Sequence, residues 1–131
     1  MNKKNYNKSI QHTPEQIALE IANEVRQILV EKFGEEKVLF WEKEYVPRKL
    51  NVIEVEEKVA VLRPIGANEI AQYSMALVDP TKGMEVATRF LLEELWLDGD
   101  NEIKDDEEYF ISAMLQIQNV IETKKSRFTK L

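Results

Sequence analysis

Apolar residues in this chain recur at helical spacing almost throughout. The exception lies between residues 49 and 63, where the period drops to two. Asn51, Ile53 and Val55 alternate with Val52 and Glu54. After Glu56-Glu57-Lys58 comes Val59-Ala60-Val61-Leu62-Arg63. Two β-branched runs about a short polar break are the pattern of a β-hairpin. The break lacks the Asn-Gly or Asp-Gly of a two-residue loop. A three-residue loop would group Ile53, Val55, Val59 and Val61 on one face, and a two-residue loop would join Ile53 and Val55 to Ala60 and Leu62. The first face is the more apolar and is the one expected. A lone hairpin is marginal in water, so it must pack on helices or join another sheet.

The helices around it are well marked. Thr13 can cap, Pro14 suits the first helical position, and Gln16 stands where a capping-box partner belongs. Ile17, Ile21, Val25, Ile28, Leu29 and Phe33 form one stripe, and Gly34 is a natural stop. The expected helix is 14–33. Val38, Trp41 and Tyr45 suit a short helix over 35–46, ended by Pro47, with a buried strand through Val38-Leu39-Phe40-Trp41 as the alternative. Pro64 and Gly66 close the hairpin. Ile70, Tyr73, Met75 and Leu77 indicate a helix over 67–78, broken at Asp79-Pro80. Thr81 to Leu97 reads as a further helix with Val86, Phe90, Leu91, Leu95 and Trp96 inward, followed by a turn at Asp98-Gly99-Asp100-Asn101. The last helix is expected from Asp106 to Lys125, with Phe110, Met114, Ile117, Val120 and Ile121 inward. Acids at its start and Lys124 and Lys125 at its end suit the helix dipole. The expectation is a mostly helical α+β fold: one hairpin, one helix before it and three after. Residues 13–131 would form a single domain behind a disordered basic lead over 1–12.

At 131 residues the length suits one domain. There is no cysteine, which excludes a disulfide framework, a thiolate zinc site and a cysteine nucleophile, and a single histidine excludes a multi-histidine metal site within the chain. No apolar run approaches the ~20 residues of a membrane span, and no signal-peptide core is visible. Asp98-Gly99-Asp100-Asn101-Glu102 superficially matches a calcium loop, but Ile103 stands where that loop needs Gly and Tyr109 where it needs Glu. The pairs Glu93-Glu94, Asp105-Asp106 and Glu107-Glu108 sit in polar stretches, not in the contrasting environments that acid–base catalysis requires. His12 has no positioned partner, the serines have no nucleophile-elbow context, and the four glycines are singletons, so no phosphate loop exists. The expectation is no enzyme, no cofactor and no metal. A metal-dependent activity at 98–108 is the competing class.

Charge is uneven. Residues 67–108 hold twelve acids against three bases, within a chain of net charge −6. That zone would repel a nucleic acid. Large apolar side chains suggest a protein partner instead. Tyr73, Phe90, Trp96, Tyr109 and Phe110 are the candidate contact residues, because several exposed together would form a patch that monomers seldom show.

The stretch from Trp41 to Leu131, roughly the last 90 residues, resembles small phage proteins encoded in tail gene blocks, the tail assembly chaperones. The order of features carries the resemblance. A strand pair leads into Arg63-Pro64, and a helix with the early acid Glu69 breaks at Asp79-Pro80. Then comes Phe90-Leu91-Leu92-Glu93-Glu94-Leu95-Trp96-Leu97 running into Asp98-Gly99-Asp100, and Asp106-Glu107-Glu108-Tyr109-Phe110 opens the last helix. The resemblance implies a non-enzymatic protein of the host cytoplasm that binds other phage proteins during tail assembly, the tape measure or another tail component among them. Self-association is a further expectation. A structural or packaged component of the virion is the alternative.

Overall fold

The computed structural model describes residues 13–123 together with 129 and 130. The expected lead over 1–12, the Lys124-Lys125 helix end and most of the tail from Ser126 lie outside the described residues. Those described form six helices and a three-stranded antiparallel sheet, a small α+β fold. They divide into two compact units between Glu44 and Tyr45, where the composition shows no linker.

The first unit is a helical hairpin. Helix α1, Pro14–Phe33, starts as its sequence dictates. Thr13 Oγ1 accepts the Gln16 N–H at 3.1 Å, and Gln16 Oε1 accepts the Thr13 N–H at 2.9 Å. This reciprocal box satisfies two amides that a helix start would otherwise leave bare. Gly34 alone, at φ +94°, joins α1 to α2, Glu35–Tyr45. The ambiguous 35–46 segment is therefore helix, and it ends ahead of a cis Val46-Pro47 bond. Leu29, Val38 and Trp41 are the unit's buried apolar residues. Phe33 meets Trp41 edge to face at 5.6 Å, with Lys37 5.5 Å from the same ring centre. The Arg26 guanidinium forks onto Glu42, with Nε at 3.0 Å and Nη2 at 2.9 Å.

The second unit is centred on the sheet, in the order β1-β2-β3. Strands β1 (Asn51–Val55) and β2 (Lys58–Leu62) pair with Val55 opposite Lys58 and Ile53 opposite Ala60. The loop is therefore the two residues Glu56-Glu57, not the three expected. Ile53 and Val55 share a face with Ala60 and Leu62, and that face joins the core. The expectation failed because the central strand is buried on both faces: Val59 and Val61 are sealed as well as Ala60 and Leu62. The more apolar face was thus no guide to register. Glu56 makes the tight turn by taking φ +56°, an uncommon conformation for a residue with a Cβ.

Helices α3 (Ala67–Val78) and α4 (Gly83–Leu95) follow. The α4 helix stops at Leu95, short of the expected Leu97. Trp96–Gly99 is a third strand, β3, antiparallel to β2, where a helix end and a turn were expected. Gly99 lies opposite Ala60, and a Cβ on Gly99 would come within 2.6 Å of the Ala60 Cα. The pairing thus needs a residue without a side chain there. Beyond the strand's ends, Arg63 N–H donates to Leu95 O at 2.8 Å and Asp100 N–H to Val59 O at 2.9 Å. A single-turn helix α5 (Glu102–Asp105) leads to α6 (Glu107–Thr123). Asp106 Oδ1 accepts the Glu108 and Tyr109 amides at 3.0 and 3.3 Å. The core joins Ile53, Ala60 and Leu62 to Tyr73, Leu91, Leu92, Leu95, Ile103, Phe110 and Ile117.

Candidate protein-interaction surfaces

The five aromatic candidates do not form a common exposed patch. Tyr73 and Phe110 are core residues, 2% and 3% exposed, because α3 and α6 turn them onto the sheet-centred cluster. Phe90 and Trp96 are half-buried and pack against the same cluster. Tyr109 is half-buried at the start of α6, and its hydroxyl donates to the Glu56 carboxylate at 3.4 Å. Partial desolvation, then the nearby Glu56 and Glu57 charges, raise its pKa above the ordinary tyrosine value.

Cations sit over two of those rings. The Arg89 guanidinium sits 4.1 Å from the Phe110 ring centre, and Lys104 Nζ sits 4.1 Å from that of Trp96. Two of the three bases in the acidic 67–108 zone are thereby spent on aromatic faces. The 98–102 turn is occupied in the same structural way. Asp100 Oδ2 accepts the Val59 amide at 2.9 Å, and Glu102 pairs with Lys58 at 2.8 Å, a contact that lowers the Glu102 pKa and raises that of Lys58. Among the described residues no group of three or more His, Cys, Asp or Glu is placed to hold a metal. A cavity of about 50 Å³ between β1, α4 and α6 is lined by Ile53, Leu62, Leu91, Leu95 and Ile117, with no ionisable side chain.

Both sheet edges are guarded. Gln116 of α6 donates to the Glu54 carbonyl of β1 at 2.8 Å. On the other side β3 is only four residues long, and its register shifts between Val61 and Leu62. Short or irregular edges resist pairing with another strand, and among the described residues the surface of exposed large apolar side chains is helical except for Val46, in the turn after α2.

In the second unit that surface comprises Met75, Leu77 and Val78 at the end of α3, Val86 on α4, and Ile111 with Leu115 one turn apart on α6. In the first unit it is α1, with Leu39 and Phe40 of α2. Every residue from Thr13 to Glu24 is exposed, Ile17 and Ile21 at 46% and 55%. Geometry explains this. At 1.5 Å per residue α1 is about 30 Å long and α2 about 16 Å. A partner joined through one glycine covers only the second half of α1.

The sequence treated Ile17, Ile21 and Ile28 as part of one inward stripe. The structure splits that stripe, with Val25, Leu29 and Phe33 at least half-buried and the isoleucines in water. The readable signal was the mismatch in helix length across Gly34. No helix among the described residues is long and apolar enough to cross a membrane. No protein-family model, curated protein or solved structure matches the chain.

Proposed function

We propose that this is a non-enzymatic phage protein that binds other proteins during tail assembly in the host cytoplasm, in the manner of a chaperone. The tail-assembly part rests on the ordered features from Trp41 to Leu131. The binding part rests on one observation: three helical turns of α1 carry large apolar side chains that nothing described covers. An isolated helix of that length is marginal in water, and most helices owe their persistence to a packed apolar face. A partner polypeptide supplies that packing. The acidic composition keeps such a surface soluble until the partner arrives.

The test is co-expression of the full chain with the products of its neighbouring genes, followed by size-exclusion chromatography and mass spectrometry of purified particles. A stoichiometric complex in the lysate and absence from the particle is the expected result. Presence in the particle at fixed copy number would make the protein a virion component instead. Failure to form a complex with any neighbouring product would remove the role.

A further inference from the structure

We draw no further inference here: the strongest candidate, the apolar face of α1 that leaves Ile17, Ile21 and Ile28 exposed, carries nothing because no feature of the described residues shows what covers it.

Discussion

Helices α1 and α4 are both amphipathic, 20 and 13 residues long, yet they end in opposite environments. The shorter one buries Ala87, Thr88, Leu91, Leu92 and Leu95. The longer one buries only Leu29. The periodicity of apolar residues is as clear in one as in the other, so it cannot be what decides burial. Neighbours decide it. Helix α4 packs on α3, leads straight into β3 and shares the core with Ile53, Ala60 and Leu62 of the sheet, whereas among the described residues α1 is joined by a single glycine to one short helix. A helical period therefore fixes which residues would go inward together and leaves open whether anything is there to receive them.

The largest expected effect comes from the same kind of truncation made on both helices. Leu91→Ala empties space in a fully sealed site, and a substitution of that kind costs about 2–5 kcal/mol, cavity included. Ile21→Ala removes a side chain that is more than half in water and should move stability by no more than about 0.5 kcal/mol. Urea denaturation of the two variants reads both values. A loss of 2 kcal/mol or more for Ile21→Ala, with unchanged oligomeric state, would mean that the isoleucine packs on something within the chain, and the contrast between the helices would disappear.

Gly99→Ala probes the feature that gives the second unit its third strand. A Cβ at Gly99 would meet the Ala60 Cα at 2.6 Å and the Val59 carbonyl at 2.7 Å, both backbone atoms that cannot step aside. The strand must shift, at a cost of about 2–3 kcal/mol, as for other overpacked sites. Hydrogen exchange should then show faster exchange at the Arg63 and Asp100 amides, which bond across β2 and β3, with no change in α1. Unchanged protection at both amides would mean that β3 is not held by that close approach.

Helix identity and most boundaries were legible because their signals are local. The Thr13-Gln16 box, Gly34 and Asp79-Pro80 each act within a few residues and do what their chemistry predicts, and the alternation over 51–62 marks the two strands though not their register. β3 was not legible. Four residues, Trp96 to Gly99, are too few to show a period, and they follow a helical stripe without a break. The trait that makes the strand, two small residues facing each other at Ala60 and Gly99, joins positions 39 apart and has no local trace. The loop length was hidden for a related reason. Once β3 pairs with β2, the central strand is buried on both faces and its alternation no longer distinguishes inside from outside. As for the candidate contact residues, aromatic identity pointed inward to the core. The exposed surface was marked instead by the difference in length between two helices.

The smallest expected effect compares one ion pair from each unit. Arg26–Glu42 stands with both side chains more than a third exposed, and Glu42→Gln should cost about 0.5 kcal/mol or less. Glu69 is better enclosed. Its Oε1 accepts the Gly66 amide at 2.8 Å, capping the start of α3, and pairs with Arg63 at 3.1 Å. The Gly66 amide first, and Arg63 after it, hold the Glu69 pKa below its ordinary 4.5. A carboxyl whose pKa is lower in the folded than in the unfolded chain stabilises the fold above its ordinary pKa. That contribution is lost as the pH falls through the lower folded value. Glu69→Gln keeps an oxygen for the Gly66 amide and removes only the charge, so it should cost about 1 kcal/mol at pH 7. The difference from the unaltered chain should begin to shrink below pH 4.5 and vanish once Glu69 is protonated. Melting curves at several pH values read this directly. A difference that stays constant from pH 7 down through that range would place the stabilisation in the shape of the side chain and not in its charge. The two ion pairs would then differ in packing alone.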